Sequence, residues 1–257
     1  MTLTLNHKVQ VNSIIRNIGL SQANLSKIME KLASGQRINS AADDPAGLVI
    51  SEQMRSRIAS LNQEIENTSL AVNKYQTASS TALQLRGILT ELNSLTVAAA
   101  NTAVNSEEMT AVYQGEANRL VESYNHIVET ASFGNSKLLD GSEGSITAVA
   151  ELGQLDLSDA TSVEQTLATI ESNVSRLDLQ IADMGAAQKN DLESRLANLR
   201  IEAENLTAAE SQIRDTDYTA EYSNFILGQM QLKASIALLA HSHISSQMVL
   251  SLIKSGD

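Results

Sequence analysis

From Val11 onward apolar residues return every seven positions, at Val11, Ile18, Leu25 and Leu32, with Ile14 and Ile28 offset by three. That spacing is the seam of a coiled coil, and a helix bearing it needs a partner helix to cover the stripe. Little in the chain can break long helices: 257 residues contain one proline and 12 glycines. Aromatic residues make up 3%, too few for the bulky core of a compact mixed fold, while a hydrophobic share of 42% is enough for folding. The expected fold is mainly α: a long-helix bundle or coiled coil with paired N- and C-terminal helices and one small β-hairpin.

Gly35 follows Ser34 where a left-handed residue ends a helix. A polar connector from Gln36 to Asp43 then meets Asp44-Pro45, which reads as an N-cap followed by a proline pre-set for the first helical turn. The second helix carries Met54, Ile58, Leu61, Ile65, Thr68, Val72 and Tyr75, then Leu85, Ile88, Leu92 and Leu95. Unbroken to Ala100, it is roughly 80 Å long at 1.5 Å per residue. Ser106 with Glu107 and Glu108 opens a third helix, whose inward positions are expected at Val112, Leu120, Tyr124, Ile127 and Val128.

Ile146 to Leu152 and Leu155 to Leu157 flank Gly153-Gln154, the two-residue spacing of a type II′ turn, and predict the hairpin near 145–158. A fourth helix is expected from a Ser162/Gln165 capping box. Its seam runs Val163, Leu167, Ile170, Val174, Leu177, Ile181 and Met184, then restarts one residue late at Leu192, Leu196, Leu199, Ala203 and Leu206. One extra residue near Gly185 shifts the stripe around the helix. After Ile213–Asp217, where Asp215 and Asp217 read as caps, a last helix spaces Phe225, Leu232, Ile236, Leu239, Leu250 and Ile253 compatibly with heptads. The C-terminus thus mirrors the N-terminus, and pairing of the two ends is expected.

A net charge of -12 supplies no basic stripe for phosphates or anionic membranes, so neither nucleic acid nor membrane is an expected partner. Cysteine is absent, removing disulfides and thiolate chemistry. His241 and His243 diverge on a helix and lack a third ligand nearby, so they predict no metal site. The pairs Asp43-Asp44 and Asp215/Asp217 precede helices, where capping outweighs acid–base catalysis, and Arg37 between them is expected to bridge a carboxylate. Met54, Met184, Met230 and Met248 read as gap-filling core. No phosphate-binding glycine loop occurs, and no cofactor is expected. Residues Met1–Gln10 are polar where a secretory signal needs an apolar core.

Three segments resemble the bacterial flagellin family. LASGQRINSAADDPAGL, from Leu32 to Leu48, is similar to its LSSG-x-RINSA-x-DD-x-AG pattern; IRDTDYTAE, from Ile213 to Glu221, to I-x-D-x-D-[YF]-A-x-E; and QMVLSLI, from Gln247 to Ile253, to Q-x-VLSLL. The resemblance spans the whole chain and marks Arg37, Asn39, Asp43, Asp44, Asp215, Asp217 and Tyr218 as connector and cap residues. With so little chain between Phe133 and Val163, it implies a short form without variable outer domains.

The resemblance implies a non-catalytic subunit of the flagellar filament, exported through the flagellum's own apparatus without a cleaved signal peptide and polymerising with copies of itself. Expected partners are the flagellar cap, junction proteins and an export chaperone. Residues 1–42 and 215–257 are expected to form the inner coiled-coil layer and 43–214 an outer helical rod. Two rivals stay open here: a hook–filament junction protein and a coiled-coil scaffold that forms closed oligomers. Where many flagellins carry R-x-R-E-L-A-V, recognised by an innate immune receptor, Glu91–Val97 reads ELNSLTV without either arginine, and charge complementarity to that receptor is lost.

Overall fold

The structure is a computed structural model that describes residues 3–101, 106–141 and 146–254, with side chains from 9 to 244 within those stretches. Its helices are α1 (Leu3–Ser34), α2 (Pro45–Ala99), α3 (Glu107–Thr130), α4 (Ala160–Ala186), α5 (Ser194–Arg214) and α6 (Tyr218–Lys254). A π-helical segment, Ala187–Glu193, joins α4 to α5, and two short strands, β1 (Ser132–Phe133) and β2 (Ser136–Lys137), follow α3. The chain divides into two compact units, residues 1–59 with 203–257, and residues 60–202. Both divides fall inside long helices, α2 and α5, rather than in the connectors.

The second unit has an enclosed core. Leu85, Leu89 and Leu92 of α2, Val121, Tyr124 and Val128 of α3, and Ile170, Leu177 and Met184 of α4 are all buried. The α2 stripe passes through Leu85, Leu89, Leu92 and Thr96; Ile88 and Leu95, expected inward, are only partly buried. Thr68 and Thr96 can be buried because each hydroxyl donates to the carbonyl four residues back, Glu64 and Leu92, both at 2.7 Å. In α3 the inward residues include Ala117 and Val121, while Val112 is exposed. Burial pushes the Tyr124 phenol up to about 12.

Ser106 caps α3 by accepting from the Met109 amide at 3.3 Å. At α4 the cap is Asp159, which accepts from Ser162 N at 2.8 Å, so the expected Ser162/Gln165 box is displaced by one turn.

The expected hairpin at 145–158 is corrected. The antiparallel hairpin instead pairs Ser132 with Lys137 and Phe133 with Ser136 across Gly134-Asn135, with Gly134 at φ 61° as a type II′ turn requires of its first central residue. Residues 147–157 run irregularly without a strand partner. Two physical reasons are visible. Buried Ile146, Val149, Leu152 and Leu155 recur every third residue, whereas a half-buried strand alternates by two. Side-chain amides on α3 also replace the missing ladder. Asn125 Nδ2 donates to Leu152 O at 2.9 Å while Leu152 N donates to Asn125 Oδ1 at 2.8 Å, and Gln114 brackets Leu155 O and Leu157 N in the same manner at 2.7 and 2.8 Å.

No described helix is long and apolar enough to cross a membrane.

Candidate functional site

The first unit brings together every connector residue singled out in the sequence. Gly35 ends α1 at φ 72°, a conformation that disfavours any side chain. From there residues 35–37 run antiparallel to 214–216. Arg37 N donates to Arg214 O at 2.7 Å, Thr216 N donates to Gly35 O at 3.0 Å, and Gln36 pairs with Asp215. A single rung of β structure therefore ties the exit of α1 to the turn between α5 and α6.

Among the described residues, Arg37 bridges no carboxylate. Its guanidinium donates to the main-chain oxygens of Gln212, at 3.0 Å, and Ile213. These are carbonyls left open in the last turn of α5, where a cation also complements the helix dipole. Sequence reading missed this because a carbonyl acceptor leaves no residue-type signal.

The aspartates act locally. Asp43 Oδ2 accepts from Asn39 N at 3.2 Å and from Ser40 N and Oγ at 3.0 Å each, and these Ser40 bonds lead in holding its carboxyl below the usual range. Asp44 Oδ1 accepts from Ala46 N and Gly47 N at 3.1 and 3.0 Å, capping α2. A Cβ on Gly47 would lie 2.5 Å from Asp44 Oδ2 and 2.8 Å from buried Ile38 Cδ1, so only glycine fits beneath this cap. Asp217 Oδ1 caps α6 through Thr219 N at 2.8 Å and Ala220 N at 3.1 Å, and Asp215 accepts from Ser211 Oγ.

Arg214 was not anticipated. It is 9% exposed and donates to Glu52, which Arg55 also reaches at 3.1 Å. The Arg214 hydrogen bond is the leading cause of the lowered Glu52 pKa.

α1 and α6 pack antiparallel, as three approaches fix. Tyr218 Oη lies 2.9 Å from where a Cβ on Gly35 would sit. Lys31 Nζ meets Glu221 at 3.2 Å, and Leu25 Cδ1 lies 3.0 Å from the Cβ position of Gly228. As numbers fall along α1 they rise along α6 in nearly equal steps. Val11, Ile14, Ile18, Leu25, Ile28 and Leu32 are half-buried on α1, as are Phe225, Gly228, Leu232, Ser235 and Leu239 on α6.

Ile236 is corrected: it is 51% exposed, and Ser235 takes the inward place. A small residue belongs there because Gly228 and Ser235 stand one heptad apart, so large α1 residues reach a close-lying α6 backbone. The heptad of small residues was the signal available in the sequence. The side chains of Leu250, Ile253 and Met248 lie outside the described residues. Met184 is buried and Met54 half-buried, but Met230, read as core, is exposed.

Among the described residues, no three His, Asp or Glu side chains are placed to hold a metal. The acidic pairs accept from nearby backbone amides and serine hydroxyls, so each carboxylate is engaged locally. What the site offers instead is an apolar surface. Beyond its seam, α6 exposes Tyr218, Tyr222, Ile226, Met230 and Leu238, spaced by four or by eight along one ridge. A helix apolar on both sides needs more covering than one partner provides.

Paired terminal helices with an uncovered second apolar face define a self-associating structural protein. The models for the bacterial flagellin N-terminal and C-terminal helical regions match residues 5–144 and 167–253. A flagellin of Halalkalibacterium halodurans is 33% identical over 273 residues, spanning 98% of this chain and 100% of that protein. The flagellar filament 33 kDa core protein of Treponema phagedenis is 30% identical over 288 residues, and a flagellin of Bacillus subtilis 29% over 306, with the same coverages of 98% and 100%. The chain belongs to the bacterial flagellin family, in a short form without outer domains, and is a structural subunit of the extracellular flagellar filament.

Proposed function

We propose that polymerisation runs through the α1/α6 pair, with residues 1–42 and 215–257 forming the inner layer of the filament and 43–214 the outer layer. The observation that carries this reading is the second apolar ridge of α6, from Tyr218 to Leu238, which the seam with α1 leaves exposed. In water that ridge is a liability; between stacked copies it is buried area, at about 25 cal/mol per Å². The subunit reaches the cell exterior through the flagellum's own export apparatus, uncleaved, and works with a flagellar cap, junction proteins and an export chaperone.

The test is electron microscopy of purified chain after salt-induced polymerisation, beside a Met230→Glu variant. Long filaments from the unaltered protein and none from a variant whose monomer keeps its helicity support the reading. Rings or small oligomers from the unaltered protein would favour a scaffold, and filaments from both would move the interface elsewhere. An intact mass of subunits recovered from filaments tests export without cleavage.

A further inference from the structure

Equal steps from the three approaches between α1 and α6 put Leu25 opposite Gly228, Ser21 opposite Leu232, Ile18 opposite Ser235 and Val11 opposite Ser242, all half-buried. A large residue on one helix thus meets a small one on the other. Such a fit of knobs into holes ordinarily fixes the register of a helix pair. Here it does not, because the small residues of α6 recur one heptad apart, at Gly228, Ser235 and Ser242. Move α1 by one heptad toward the C-terminal end of α6, about 10.5 Å, and Leu25 meets Ser235, Ser21 meets Leu239 and Ile18 meets Ser242. Each keeps a neighbour of similar size, while Ile28 exchanges Phe225 for Leu232 and Leu32 exchanges Glu221 for Gly228. α6 has 37 residues to 32 in α1, so nearly all of the shifted helix still lies along its partner. The opposite move carries the last turn of α1 past Tyr218, where α6 begins, and sets Leu25 against Glu221. The seam therefore admits two registers, and the observed one needs a further cause.

That cause stands at the connectors. Only residues 215–217 separate α5 from α6, and Gly35 directly follows α1. Between them Thr216 N donates to Gly35 O, Arg37 N donates to Arg214 O, and the Arg37 guanidinium donates to the Gln212 and Ile213 carbonyls. Ile38, next along the chain, is 2% exposed, and its Cδ1 lies 2.8 Å from the Cβ position of Gly47. These anchors hold the end of α1 against the start of α6 and leave no freedom for a heptad shift. The Lys31–Glu221 pair also marks the observed register, but it joins partly exposed groups, whose attraction solvent screens.

We propose that residues 35–38 and 214–216 form a register key: they, rather than the apolar seam, decide where α1 sits on α6, and a chain without them re-pairs one heptad further along α6. Arg37, Ile38 and Thr216 are then positioning residues for self-association, because a slipped pair offers α1 and α6 to neighbouring copies out of step. The register belongs to the single subunit and does not rest on the filament layers proposed above.

The chain has no cysteine, so disulfide trapping in dilute monomer reads the register directly. Leu25→Cys with Gly228→Cys reports the observed register and Leu25→Cys with Ser235→Cys the shifted one, since in either register the other pair is out of line by about 10.5 Å, too far for a disulfide. In the otherwise unaltered chain the first pair should oxidise and the second should not. With Arg37→Pro, Ile38→Gly and Thr216→Pro added, the favoured cross-link should move to the second pair, in protein whose circular dichroism still shows the helices. A folded variant that kept the first cross-link would overturn the key, as would both cross-links forming in the unaltered chain. Should the triple change fail to fold, Glu221→Lys decides, since it leaves the connectors intact and sets like charge against Lys31. The first cross-link should persist there, and a move to the second would mean that the ion pair, not the connectors, holds the register.

Discussion

Leu89 and Leu25 hold the same kind of position, inward residues of long helical seams, yet Leu89 is wholly enclosed and Leu25 is half-exposed. In the second unit, α2, α3, α4 and the residues 138–141 and 146–157 cover one another's apolar faces, so the core closes. In the first, the described α1 seam is covered by α6, and two helices bury only the strip between them. Seam residues of the terminal pair thus contribute part of their transfer free energy in the subunit, and the remainder becomes available on association. The same heptad chemistry stabilises a fold in one place and prepares an interface in the other.

Truncation is the most direct way to break this contrast. Leu89→Ala should destabilise the subunit by about 2–5 kcal/mol through lost transfer energy and a cavity. Leu25→Ala, with its side chain half in water already, should cost about 1 kcal/mol in the subunit and act chiefly by raising the concentration needed for assembly. Denaturant unfolding of the monomer and sedimentation of polymer measure the two. Equal destabilisation of the monomer by both changes would mean that the terminal pair is as closed as the core.

Asn125→Leu probes the second unit where a side chain stands in for a strand. It removes both bonds to Leu152 and leaves that buried residue's N–H and C=O unsatisfied, an expected loss of about 1–3 kcal/mol. Amide exchange at 147–157 should rise first; an unchanged pattern would show that the stretch holds its course by apolar packing alone.

In the first unit the corresponding weak point is backbone conformation. Gly35→Ala forces a Cβ into a left-handed residue, at about 1–2 kcal/mol, and against Tyr218 Oη. Combined with Tyr218→Ala, the substitution should lose the contact part of the penalty and keep the conformational part. A double variant no better than Gly35→Ala would show that the tyrosine already yields freely.

How far these features could be read from the sequence follows the same division. Where a helix is amphipathic, as α1 is, its period marks the covered face: Val11, Ile18 and Leu25 are half-buried, and Leu25 approaches Gly228 of α6. The one-residue slip after Met184 was legible as well, because Leu192, Leu196 and Leu199 restart the seam out of step, and the π segment lies there. Caps at Asp44 and Asp217 were legible because a carboxylate before a helix has one dominant use. Ile236 was misplaced since α6 is apolar all round, and periodicity then cannot choose between isoleucine and the serine beside it. The hairpin was misplaced because two apolar-rich runs flanking Gly153-Gln154 look like paired strands, while the amides that hold the stretch, Gln114 and Asn125, come from a helix tens of residues earlier. Arg214 went unread for a related reason: its partner Glu52 is distant in sequence, and only folding pairs them.

The smallest effect, and the one that separates the units most cleanly, is their response to pH. Asp43, Glu52 and Glu221 of the first unit have lowered pKa values, through bonds chiefly from Ser40, Arg214 and Asn224 respectively; in the second, Asp156 is lowered by Ser158. A folded pKa below the unfolded one gives stability that is present above the unfolded value, here 4.5 for Glu52 and Glu221 and 3.8 for Asp43, and lost as pH falls through the folded value. Tyr124 has the opposite sign. Raised from 10.0 to about 12 by burial, it gives stability that is complete below pH 10 and lost as pH rises toward 12. Acid should therefore loosen the first unit ahead of the second, and alkali the second ahead of the first. Tyrosine ring resonances report both: Tyr218 and Tyr222 should shift on acidification below pH 4.5 before Tyr75 and Tyr124 do, with Glu221→Gln reducing the change, while Tyr124 should ionise only as pH nears about 12. Ionisation of Tyr124 near its ordinary value in a folded chain, or simultaneous acid shifts in all four rings, would show that the two units do not differ in this respect.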